Sequence, residues 1–130
     1  MATKPTKTRD ASPVRIRAWR FGRLAERICA VVLRCKGYRI LEVRHRNPAG
    51  EIDLIARRGS IVAFIEVKAR ADAATAAEAL NPRQRARIAR AAETWLAGNT
   101  THQGADLRFD VMLVGRRFFP RHIPDAWRPE

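Results

Sequence analysis

The chain has 130 residues, which suits one domain, and 46% of them are hydrophobic, too many for a wholly disordered polypeptide. Its 26 Lys and Arg outweigh 13 Asp and Glu for a formal net charge of +13, so polyanions, nucleic acid first, are the expected partners. No stretch approaches the roughly 20 apolar residues of a membrane helix. The polar start Met1–Asp10 lacks the apolar run of a secretory signal, so a cytoplasmic protein with no membrane partner is expected.

Residues 1–14 are expected to be a disordered basic arm, 15–115 the folded domain, and 116–130 a tail packed on it or extending from it. From about Arg17 to Lys36 the pattern is helical. Leu24, Ile28, Val31 and Cys35 form the predicted inner stripe, widened by Ala25, Cys29 and Val32, while Arg23, Arg27 and Arg34 mark the wet side and Gly37 the end. Cys29 and Cys35 fall on different faces of this helix, which disfavours a disulfide. His45, His102 and His122 have no Cys partner at zinc-finger spacing.

Three strand-like segments follow: Tyr38–Val43, Glu51–Ala56 after the turn Asn47-Pro48-Ala49-Gly50, and Ile61–Ala69 after the short connection around Gly59. The last is almost continuously apolar, which predicts a central strand buried on both faces. Ala73–Leu80 is helix-prone. Asn81-Pro82 then caps a second helix running to about Ala97, with Ile88, Ala91, Ala92 and Trp95 inside and Arg83, Arg87 and Arg90 on an outer face. Asp106–Val114 is a further strand, on which Asp110 is expected to pair with Arg108. The order α-β-β-β-α-β predicts an α/β fold, a mixed sheet flanked by helices.

Polar groups in a central strand are costly unless satisfied, yet Ile61–Ala69 carries Glu66 and Lys68, two apart and so on one face. A hairpin centred near Gly59 places Asp53 opposite Glu66. Two carboxylates and an ammonium then converge. Only four of the 26 basic residues are Lys (Lys4, Lys7, Lys36, Lys68), so a Lys here stands out in a chain that otherwise uses Arg. The set suits a hard cation: Asp53 and Glu66 as Mg²⁺ ligands, the Val67 carbonyl as a further oxygen, and Lys68 to polarise or deprotonate the attacking water or steady the developing charge.

The segments Gly50-Glu51-Ile52-Asp53-Leu54-Ile55-Ala56 and Phe64-Ile65-Glu66-Val67-Lys68-Ala69-Arg70 resemble the PD-(D/E)xK nuclease superfamily. More closely they resemble the YraN-like family of small bacterial proteins, regarded as candidate endonucleases akin to Holliday-junction resolvases. The resemblance covers roughly residues 20–115. It implies a restriction-endonuclease-like fold, Mg²⁺ or Mn²⁺ as cofactor, DNA as partner, a homodimer where two strands of a junction are cut, and a metal-binding role for Glu26. Arg44 stands where that family typically has Asn, and Gln84 where it has Lys.

The residues also admit plainer readings. Glu26 either helps to bind metal or pairs with Arg23 one turn away. Glu51 is a metal ligand or a hydrogen-bonded carboxylate beside a turn, and Gln84 faces the site or packs at the core edge. Arg83, Arg87 and Arg90 form a phosphate-contacting ridge or an ordinary solvated face, and Arg23 and Arg70 are expected to contact nucleic acid. Trp19, Trp95 and Trp127 are expected to be anchors rather than base-stacking platforms. The alternative to a metal-dependent endonuclease is a nucleic-acid-binding protein that keeps the fold and cleaves nothing.

Overall fold

The computed structural model describes residues 13–69, 80–115 and 120–129, with side chains from Gly22 onward. Most of the expected arm, the helix-prone segment from Ala73, Arg70 and the side chain of Trp19 lie outside the described residues.

The elements are α1 (Pro13–Cys35), β1 (Arg39–Asn47), β2 (Gly50–Arg58), β3 (Ile61–Ala69), α2 (Pro82–Ala97), a short 3₁₀ turn (Thr100–His102), β4 (Asp106–Val114) and β5 (Arg121–Trp127). The five strands form one mixed sheet in the order β1-β2-β3-β4-β5, with β3 and β4 parallel and the other neighbours antiparallel. The central place of β3 is the one its apolar run predicts. α2 covers one face of the sheet over Ile52, Ile55, Val62, Phe64, Phe109, Val111 and Leu113. α1 covers the other over Leu54, Ala56, Ala63, Ile65, Met112 and Val114. The protein is therefore an α/β fold with a mixed sheet flanked by helices, as expected.

α2 begins as its sequence dictates. The Asn81 side chain accepts the Gln84 backbone N–H (2.8 Å), the Gln84 side chain accepts the Asn81 N–H (3.2 Å), and Pro82 opens the first turn. Ile88, Ala91, Ala92 and Trp95 are its buried residues, the stripe read from the sequence.

α1 is rotated from its expected orientation. Ala25, Cys29, Ala30 and Leu33 are buried, whereas Leu24 is 50% exposed, Val31 55% exposed, and Cys35 lies at the surface. Both stripes are apolar, and periodicity alone favoured the one with larger side chains. The small Ala25, Cys29 and Ala30 let the helix lie close to the sheet, which decides the matter. Leu33→Ala is accordingly expected to cost about 2–4 kcal/mol, and Leu24→Gln at most about 0.5 kcal/mol. Urea denaturation of the two variants checks this, and the reverse order would restore the expected stripe.

The C-terminal tail contains a strand that the sequence reading missed. β5 is an edge strand and tolerates Pro124 in its middle. It is held by the side chain of Asp110, which is fully buried. Asp110 accepts from Arg108 Nε (2.9 Å) and Nη2 (2.8 Å), from the Asp125 N–H (3.0 Å), and shares a 2.8 Å hydrogen bond with His122 Nε2. The expected Arg108–Asp110 pair is present within this larger network. Trp127 packs on Phe109, their ring centres 4.5 Å apart, and Trp95 packs on Phe64, so both are core anchors.

Candidate active site

The hairpin ladder between β2 and β3 runs from Arg58↔Ile61 to Leu54↔Ile65 and then stops. Beyond that rung β2 stays paired with β1 as far as Gly50, and β3 stays paired with β4 as far as Ala69. The two central strands keep their outer partners and part from each other, so a notch opens in the sheet. Asp53 and Glu66 are the first residues past the last rung, one on each side.

The Asp53 carboxylate takes up a donor that the missing ladder leaves behind: its Oδ2 accepts the Val67 backbone N–H at 2.8 Å. The N–H and C=O of a strand residue point to the same edge, so the Val67 carbonyl faces the notch as well. Asp53 is also where β2 changes phase. Ile52 and Ile55 both pack under α2, although an odd spacing should send them to opposite faces. The slip brings Asp53 close to α1, where it and Glu26 help burial push the Cys29 thiol up to about 12.

Glu66 meets Asp53 across the notch. Burial first, and then the neighbouring Asp53 carboxylate, raise the Glu66 carboxyl to about 8. Burial likewise raises Asp53 to about 6, against the relief given by the Val67 N–H. Each carboxylate thus makes it harder for the other to lose its proton. Lys68 Nζ stands 3.8 Å from Glu66 Oε2, near enough to feel the charge but too far for a hydrogen bond, with side-chain exposures of 16% and 18%.

A free-energy consequence follows. Both carboxyls bind their proton more tightly in the folded chain than in the unfolded one, so the folded state is favoured at low pH and loses stability as pH rises from about 4 to about 8. The loss is on the order of a few kcal/mol. Denaturation in EDTA at pH 5 and pH 8 is expected to show a lower midpoint at pH 8, and Glu66→Gln should flatten the difference. An unchanged or higher midpoint at pH 8 in the native chain contradicts the raised values.

Two half-buried carboxyls repel one another beside the Lys68 ammonium, and the donors facing the notch are oxygens. This fits a hard divalent cation such as Mg²⁺ or Mn²⁺, which takes one or two carboxylates and completes its shell with water and phosphate. Among the described residues, no three His, Cys, Asp or Glu side chains form a ready cage, as a structural zinc would need.

Glu66 opens on its other side into a cleft of about 500 Å³, lined also by Glu51, Gln84, Arg87, Arg46 and Asn47. Gln84 therefore faces this cleft while it caps α2. Glu51 is exposed and pairs with Arg46 at 3.2 Å. Arg87 borders the cleft; Arg83, in the first turn of α2, and Arg90, one turn beyond Arg87, are exposed, and Arg90 edges a hollow beside Trp127. Arg23 is exposed on α1, away from the cleft lining. Glu26 is engaged by Arg44 in a charged hydrogen bond.

Sequence reasoning missed Arg46, and it noted Arg44 only as a departure from the resembled family and Asn47 only as a turn residue. The Asn47 side chain ties β1 to the Ala91 carbonyl of α2 at 3.0 Å and bonds His45 at 2.9 Å, which fixes one wall of the cleft. Turn chemistry was the signal at Asn47, and it explains only the Ala49 N–H that Asn47 accepts.

Fold and site together define an α/β protein with a carboxylate pair and a lysine at a break in its central sheet. The chain belongs to the family described as Uncharacterised protein family UPF0102, whose model matches residues 25–114. It is 52% identical to a UPF0102 protein of Bradyrhizobium sp. (strain ORS 278) over 126 residues, 97% of this chain and 88% of the relative. A UPF0102 protein of Parvibaculum lavamentivorans is 48% identical over 126 residues, 96% of this chain and 95% of the relative. No helix among the described residues is long and apolar enough to cross a membrane.

Proposed function

We propose that this protein is a metal-dependent endonuclease of the PD-(D/E)xK type, which hydrolyses phosphodiester bonds in DNA, branched or otherwise structured DNA included, in the cytoplasm. The observation that carries this reading is the Asp53–Glu66 pair with Lys68 at the break between β2 and β3. The surplus of positive charge supports DNA as the substrate, since Lys and Arg contacts to phosphate supply sequence-independent affinity.

Asp53, Glu66 and the Val67 carbonyl would hold Mg²⁺ or Mn²⁺. When bound, the ion supplies positive charge to the phosphoryl oxygens and makes an attacking water more acidic. The chain's own residues do the rest. The Val67 N–H fixes the orientation of Asp53, so that carboxylate needs no rearrangement when substrate arrives. Lys68 brings a compact charge to the point where negative charge develops on phosphate, a role that suits an ammonium better than a broad guanidinium. Arg87 and the Gln84 amide, on the wall of the cleft that Glu66 opens into, meet the strand that enters it. A homodimer would bring two such sites to a junction.

Plasmid nicking with Mg²⁺ or Mn²⁺ tests the reading. The purified chain is expected to convert supercoiled DNA to open circles, and Asp53→Ala is expected not to. Nicking that survives Asp53→Ala sinks the site assignment. A wild type that binds DNA and never cuts it leaves the binding-only alternative.

A further inference from the structure

Arg44 occupies the middle of β1 with φ at +58°, a region that a residue with a Cβ rarely adopts inside a strand. The other such non-glycine residue among those described, Asp125, has an evident reason: its N–H is turned onto the buried Asp110. Arg44 lies across from Asp53, for the rungs Val43↔Leu54 and His45↔Ile52 bracket the two. Strain of this kind gathers at functional sites. It also turns the side chain out of the strand's alternation and toward α1, where Nη2 is bound by Glu26 Oε1. A guanidinium has five N–H donors in a flat fork, so this bond aims the group without using it up, and 27% of the side chain remains exposed. A tie between α1 and β1 alone could be made from an ordinary strand position, without the left-handed backbone.

We propose that Arg44 is a substrate-binding residue that grips a DNA backbone phosphate on the α1 side of the break in the sheet, with Lys68 at the other side and Glu26 as the arm that aims it. The inference rests on the endonuclease reading for the identity of the polyanion. An Arg is suited to the task because its fork can meet two phosphate oxygens at once.

The test is binding of a short DNA duplex by fluorescence anisotropy over a series of salt concentrations, with Ca²⁺ in place of Mg²⁺. Asn is at home in the left-handed region, so R44N keeps the backbone while it removes the charge. R44N is expected to bind about tenfold more weakly, with a plot of log affinity against log salt shallower by about one. R44K, which keeps the charge, should retain the wild-type slope. A merely structural tie would alter the melting temperature and leave the slope alone. Wild-type affinity and slope in R44N overturn the proposal and leave the endonuclease reading standing. A wild type that binds through Arg44 yet never nicks overturns that reading and supports the role of Arg44. A wild type that does not bind duplex overturns both.

Discussion

Lys68→Ala is expected to lower the rate of plasmid nicking at saturating Mg²⁺ by about 10²–10³-fold while leaving duplex affinity within about twofold. The two effects separate because of where Lys68 sits. It is one of 26 basic residues, so its loss scarcely changes the long-range attraction that sets sequence-independent affinity. It is also 3.8 Å from Glu66 and largely shielded from solvent, so its charge acts on the reacting phosphate in a poorly screened place. Lys68→Arg should restore little, since a broad planar guanidinium does not present the compact point charge of an ammonium. Single-turnover nicking and anisotropy on the same preparations measure the two quantities. Equal losses in both would mean that Lys68 is a docking charge rather than part of the chemistry.

Asp110→Ala is expected to destabilise the fold by about 3–5 kcal/mol, enough to leave a small domain barely folded at room temperature. Asp110 has no exposed surface and collects bonds from Arg108, His122 and the Asp125 backbone. Its removal leaves the Arg108 guanidinium, itself bonded to the Tyr38 hydroxyl, beside an empty space, and cuts the side-chain bonds that join β5 to β4. The donors around Asp110 overcome its burial and hold its carboxyl below the usual carboxylate range. Its contribution is therefore complete above about pH 4 and falls away as pH drops toward its folded value. This is opposite in sign to Asp53 and Glu66, which weaken the fold as pH rises. Thermal melts at neutral pH check the variant, and a melting temperature within a few degrees of wild type would show that the network is dispensable.

Much of the site was legible because its chemistry conflicts with its surroundings. Two acids and a scarce Lys in an apolar central strand can be found by asking what they cost, and the short connection at Gly59 fixes which residues face each other. The capped start of α2 and its buried stripe were legible for a similar reason, since Asn-Pro and a narrow apolar seam each have one structural use. The buried face of α1 was not, because the helix is apolar on two sides and close approach to the sheet favours small side chains over large ones. β5 was hidden by Pro124 and by polar residues whose partner, Asp110, lies on a strand eleven or more residues earlier in the chain. Arg44 showed in the sequence only as a departure from the Asn of the resembled family. The left-handed backbone that sets it apart exists only once β1 and β2 slip together opposite Asp53.

The central claim is that Asp53 and Glu66 form a place for one divalent cation, and calorimetric titration of the purified chain with Mn²⁺ at pH 7 tests it most directly. The account predicts a single site in the wild type, lost in Asp53→Asn. Its heat should vary with the ionisation enthalpy of the buffer, because a cation bound by carboxyls held above their usual range displaces protons from them. Absence of Mn²⁺ binding to the wild type, or binding undiminished in Asp53→Asn, would contradict it.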